Sequence, residues 1–151
     1  MRTPIFISSE YYYEAEKVSE MYKKIIKSTG IEEIDLKGYT DIIDSIAIII
    51  NCFPDDYMQA GWGKPRKYIS YKNGYADIRL AIPYNEFMEA DDEKKYLMVL
   101  DNIIYSIKVI GERCQKSKRA RFDSQGLITE ILSRLNISEE QLKDVHGTME
   151  D

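Results

Sequence analysis

The sequence predicts an α+β domain: a sheet of about four strands, including a tight Asn-Gly hairpin, with helices packed mainly on one face. Three observations carry this. "DSIAIIINCF" (44–53) is a β-branched run bounded by Pro54, as a buried central strand requires. "RKYISYKNGYADIRLAI" (66–82) alternates on both sides of Asn73-Gly74, the preferred two-residue hairpin turn. From Asp91 onward, apolar residues recur at helical spacing for some 25 residues.

Taken in order, Pro4–Ile7 reads as a short strand, and Ser8 or Ser9 as the cap of a helix. That helix starts at Tyr11, with apolar positions 11, 15, 18, 22, 25 and 26 on one stripe. Gly30 ends it. Residues 31–41 form an acidic connection, followed by the central strand. Residues 55–65 form a loop or short helical turn.

The two-residue turn sets the hairpin register, pairing Lys72 with Tyr75, Ser70 with Asp77 and Tyr68 with Arg79. One face is then apolar and core-directed, and the other carries Tyr68, Tyr75, Asp77 and Arg79. Pro83 closes the hairpin. Asp91 or Asp92 caps the long helix, whose main stripe includes 96, 100, 103, 107, 110 and 114. A second apolar line, Met98, Tyr105 and Val109, implies that this helix has a second neighbour. Asp123 caps a third helix with stripe 127, 128, 131, 132 and 135. Ser138 and Gln141 form a capping box opening a short fourth. Residues 1–146 make one domain, and 147–151 a frayed tail.

Composition narrows the function. The chain has 151 residues, of which 44% are hydrophobic and 31% charged, an ordinary soluble balance. No apolar run is long enough for a membrane span or a secretory signal, so no membrane association and a cytoplasmic location are expected. Cys52 and Cys114 lie within apolar periodic segments and read as buried thiols. Net charge is −5 and unevenly spread. Eleven acids face five lysines between Glu10 and Asp56, whereas Arg113, Lys116, Lys118, Arg119 and Arg121 oppose Glu112 alone. The acidic balance argues against nucleic acid as a partner. The basic cluster reads as a solvated helix end favoured by the helix dipole.

Catalytic signals are sparse, and neither catalytic residues nor a cofactor is expected. The single histidine, His146, lies five residues from the end, which removes His-based triads. "GWGKP" (61–65) lacks the phosphate-loop spacing. Metal ligation is not expected at the cysteines, which have no second Cys or His at ligand spacing. The acid pairs Asp91-Asp92 and Glu139-Glu140 fall in first turns of helices, where the dipole explains them. Asp55-Asp56, with Asp41 or Asp44, supports an alternative: a small metal-dependent hydrolase or nuclease using clustered carboxylates.

Tyrosine stands out, with twelve in the chain. On a helix beginning at Tyr11, Tyr13 lies about 200° round on the polar face. Tyr68, Tyr75, Tyr57 and Trp62 also fall at positions of predicted exposure. Each ring alone is ordinary cross-strand packing. Together with neighbouring acids they form a surface suited to a basic protein partner. The predicted partner-binding set is Tyr13, Asp55, Asp56, Tyr57, Trp62, Tyr68, Tyr75, Asp77 and Arg79. Self-association as a scaffold is a further alternative, with Met98, Tyr105 and Val109 as a homodimer seam.

"IFISSE" (5–10), "DSIAIII" (44–50), "ADIRLAI" (76–82), "NIIYSIKVI" (102–110) and "FD" (122–123) occur in an order that resembles a bacterial family. It is the family numbered forty-four among the immunity proteins of polymorphic toxin systems. The resemblance covers roughly residues 5–135. It implies a stand-alone cytoplasmic protein, made beside a toxin gene, that binds the cognate toxin domain and blocks its active site or substrate path. It brings no catalytic motif. The acidic balance suits a nuclease toxin with a basic groove.

Overall fold

The computed structural model describes residues 5–11, 16–41, 45–52, 66–70, 75–117 and 121–145. Four strands are assigned: β1 (Ile5–Tyr11), β2 (Ser45–Cys52), β3 (Arg66–Ser70) and β4 (Tyr75–Ala81). Five α-helices accompany them: α1 (Glu16–Thr29), α2 (Tyr84–Glu89), α3 (Asp92–Ser117), α4 (Ser124–Leu135) and α5 (Glu139–Leu142). Two 3-10 turns, Ile31–Glu33 and Leu36–Gly38, follow α1.

The strand order is β1-β2-β4-β3. β1 and β2 run parallel, which requires a crossover, and α1 supplies it. β2 and β4 are also parallel. The chain reaches β4 by first laying down β3 at the edge and turning back antiparallel. α1 lies against β1 and β2, α3 lies against β3 and β4, and the two helices touch. α2 contacts both helices, while α4 and α5 pack on α3.

The fold expectation is corrected here. Helix far outweighs strand, and the described domain is predominantly helical rather than an α+β domain organised on its sheet. The four strand side chains that are described, Ile5, Ile46, Ala76 and Ile78, are all buried in the apolar core. α3 alone brings nine, from Met98 to Cys114. A periodic pattern shows that a helix or strand exists but not how much of the chain each takes, and here the helices take the larger share of the assigned residues. At roughly 1.5–3 kcal/mol per fully buried aliphatic side chain, α3 is the largest single contributor to the described core.

Two local expectations also change. β1 continues through Tyr11, with Ser8 opposite Ile49 and Tyr11 opposite Cys52. The parallel ladder thus takes up the serines expected to cap a helix and Tyr11 expected to begin it, and α1 is described from Glu16. In the hairpin, Ser70 pairs with Tyr75 and Tyr68 with Asp77, a slide of two residues from the expected register. Such a slide keeps every side chain on its face, so apolar alternation does not distinguish the two registers. The Asn73-Gly74 turn itself lies outside the described residues.

The caps follow local chemistry. Gly30 takes φ +68°, the left-handed conformation that glycine tolerates after a helix. The Lys94 amide donates to the Asp91 carboxylate at 2.8 Å. The Gly126 amide donates to Asp123 at 2.9 Å. Ser138 and Gln141 complete the capping box. The acidic connection 31–41 is more than a linker, because Ile31, Ile34 and Leu36 are all buried. Inside the core, the Tyr22 hydroxyl donates to Asn102 Oδ1 at 3.4 Å, joining α1 to α3. Ser106 donates to the Asn102 carbonyl at 2.8 Å.

Candidate functional site

Of the predicted partner-binding residues, Tyr13, Asp55, Asp56, Tyr57 and Trp62 lie outside the described residues. The other four have defined places in the ladder. Tyr68 stands opposite Asp77, and Arg79 opposite Arg66. Tyr75 sits between Ser70 of β3 and Ser45 of β2. Register thus brings one tyrosine and one acid together, and it separates Tyr68 from the Arg79 expected beside it.

Of the proposed carboxylate cluster, only Asp41 is described, and it is already engaged. Arg121 approaches Asp41 Oδ2 at 3.5 Å through Nε, and its backbone amide donates to Oδ1 at 3.3 Å. Among the described residues no group of three or more His, Cys, Asp or Glu side chains is placed to hold a metal ion. No described helix is long and apolar enough to cross a membrane. Cys114 is buried, and burial pushes its thiol pKa up. The suggested homodimer seam is largely taken up within the chain. Met98 and Val109 are buried and Tyr105 half-buried.

The described surface has one feature that sequence reasoning missed. From Met98 to Gly111, α3 is buried except at Asp101, Tyr105 and Lys108, and the same face continues through the exposed Glu112 and Gln115. These positions follow the 3.6-residue repeat and so share one face. Three adjoining hollows lie along this face. One of about 310 Å³ lies against α5, lined by Asp101, Ile104, Lys108, Glu139, Glu140, Leu142 and Lys143. A second, also of about 310 Å³, is formed by Tyr105, Lys108, Val109, Glu112, Arg113 and Lys116. A third of about 390 Å³ lies against the start of α4, lined by Lys108, Gly111, Arg121, Phe122, Ser124 and Gln125. Lys108 borders all three.

Two contacts shape the α4 side of this face. Gly111 lets α4 approach closely: a Cβ there would lie 2.3 Å from Ser124 Oγ and 2.6 Å from Ser124 Cβ. Beyond it, Thr40 and Phe122 pair as an isolated antiparallel bridge, and the Asp123 amide donates to the Tyr39 carbonyl at 2.7 Å. The Tyr39 hydroxyl donates to Glu130, and this bond, with burial adding to it, pushes the Tyr39 pKa up to about 12. Residues 39–41 are thereby clasped to 121–130. A cleft of about 460 Å³ opens beside the clasp.

A family model described as Immunity protein 44 matches residues 3–137. The chain belongs to this immunity-protein family. No curated protein and no solved structure matches it. The family match runs from just before β1 to just past the end of α4, so it takes in the sheet, the clasp and all of α3. The family as such brings a toxin protein into view as partner.

Proposed function

We propose that this chain neutralises a cognate bacterial toxin domain by binding it and blocking its active site or the path of its substrate. The observation that carries this is the family match over residues 3–137. Neutralisation by occlusion needs no chemistry from the inhibitor, so the chain acts as a binding protein rather than an enzyme. The excess of acids between Glu10 and Asp56 supports a partner with a basic groove, as in a nuclease toxin. Action in the cytoplasm, where the toxin would meet its substrate, belongs to the same proposal.

The contact surface we favour joins Tyr68, Tyr75, Asp77 and Arg79 to the Asp55-Asp56-Tyr57 segment and Trp62, with Tyr13 nearby in sequence to β1. Aromatic rings supply contact area at little entropic cost, and the acids supply steering. Co-expression with the product of the neighbouring gene tests the function. The neighbour alone arrests growth, this chain restores it, and the two co-purify. A harmless neighbour, or two proteins that do not associate, refutes the proposal. Tyr68→Ala with Asp77→Lys then tests the surface, with an expected loss of about tenfold or more in affinity if these are central contacts.

A further inference from the structure

We infer that residues 138–145 form a strap closed over α3, which opens as a unit while the rest of the domain stays folded. The first support is how the segment is bonded. Before it, α4 completes its own end. Asn136 turns left-handed at φ 54°, and the Ile137 amide donates to the Leu132 carbonyl at 3.0 Å. Beyond that point, among the described residues, the hydrogen bonds and ion pairs of 138–145 all stay inside the segment. Ser138 and Gln141 bond each other in the capping box. The Lys143 and Val145 amides donate to the Glu140 and Leu142 carbonyls, and Lys143 meets Glu140 at 3.9 Å. The segment therefore keeps its local shape by itself, and its hold on α3 is apolar.

The second support is how small that apolar hold is. Of these eight residues Leu142 alone is buried, Val145 is half-buried and the other six are exposed. α5 packs on α3, where Leu142 shares a hollow with Asp101, Ile104 and Lys108. One leucine is a slight anchor against the chain entropy of eight ordered residues. A unit held so lightly opens at a free energy well below that of global unfolding. It also differs from a terminus that frays residue by residue. The capping box shapes its start and Leu142 anchors it beyond, so the segment is released together when Leu142 leaves. Opening lays bare Ile104, now 4% exposed, and widens the exposed face of α3 between Asp101 and Lys108. The family match ends at residue 137, where the strap begins.

Native-state hydrogen exchange of the full chain, read by NMR, tests this. We expect the Gln141, Lys143 and Val145 amides to be protected, yet to exchange at least about thirtyfold faster than those of Ile107 and Ile131. Low urea leaves the strap rates nearly unchanged, because little surface opens. Leu142→Ala is compared with Leu132→Ala, since both leucines are 7% exposed and Leu132 lies in α4. Leu132→Ala raises the unfolding equilibrium constant about thirtyfold or more. Leu142→Ala raises it less than about tenfold, because the loss stops growing once the strap is open. Leu142→Ala also accelerates all three strap amides by one common factor of about fivefold or more. Strap amides that exchange at the rate of the core, or equal costs for the two variants, would place the segment in the global folding unit. Strap amides without protection, or accelerated unequally, would make it a frayed end. Either result overturns the proposal. The wild-type comparison needs neither variant, and the measurement uses this chain alone, so it is independent of whether the toxin reading holds.

Discussion

Gly111→Ala provides the sharpest test of how α3 and α4 meet. In an isolated helix this change is favourable, since alanine improves on glycine by about 0.8–1 kcal/mol in a helix interior. Here the new methyl would lie 2.6 Å from Ser124 Cβ and 2.3 Å from its Oγ. The hydroxyl can rotate away, but the Cβ moves only with the backbone of α4. Forcing one carbon into such a contact costs about 1–3 kcal/mol. The net expectation is a loss of about 1 kcal/mol, opposite in sign to the propensity prediction. At this chain length that lowers the melting temperature by about 2–4 °C. Urea unfolding followed by circular dichroism measures it. The double variant Gly111→Ala/Ser124→Gly removes the opposing Cβ and recovers part of the loss beyond additivity. If Gly111→Ala alone raises the midpoint, the close approach described here is wrong.

Tyr39→Phe removes the donor to Glu130 and should cost about 1–2 kcal/mol. It also changes the alkaline limb of stability. Tyr39 titrates at about 12 in the folded chain against an ordinary value of 10, so its contribution is full below pH 10 and is lost as pH rises toward 12. The wild-type advantage over the variant, measured by urea midpoints, therefore shrinks across that window, and a constant difference would contradict the assignment. Leu36→Ala, in what looks like a linker, should cost about 2–5 kcal/mol because Leu36 is fully buried; a chemical denaturation curve decides it. Ser138→Ala removes the capping box at α5 and should cost about 1 kcal/mol, read the same way.

Features that depend on neighbouring residues were legible in the sequence. The roles of Asp91, Asp123 and Ser138 follow from which amides lie two or three residues downstream. Features that depend on distant partners were not. Tyr11 reads as helical until a parallel strand from residues 45–52 takes up its backbone. The buried trio Ile31, Ile34 and Leu36 sits in and between two 3-10 turns among acids, where neither a 3.6-residue nor a two-residue period shows. The balance between sheet and helix depended on how much of α3 is covered, and periodicity shows a preferred face without counting its neighbours. Lys108 drew no reading in the sequence, because the α4 and α5 residues that stand beside it are distant in the chain. Of the favoured contact residues, the four on β3 and β4 now have register positions.

The clasp between residues 39–41 and 121–130 carries a consequence for synthesis. Tyr39, Thr40 and Asp41 leave the ribosome about 80 residues before their partners Phe122, Asp123 and Glu130. Until then β1 and α1 can form, while the Tyr39 hydroxyl and the Asp41 carboxylate bond only to water. The clasp is therefore a late, long-range closure that β2, β3, β4, α2 and α3 must precede. A nascent chain stalled before residue 121 lacks it entirely, and its 39–41 segment stays open to proteolysis. Cleavage near Tyr39 would then report how far synthesis has advanced, and protection there would mark the moment at which the two ends of the domain lock together.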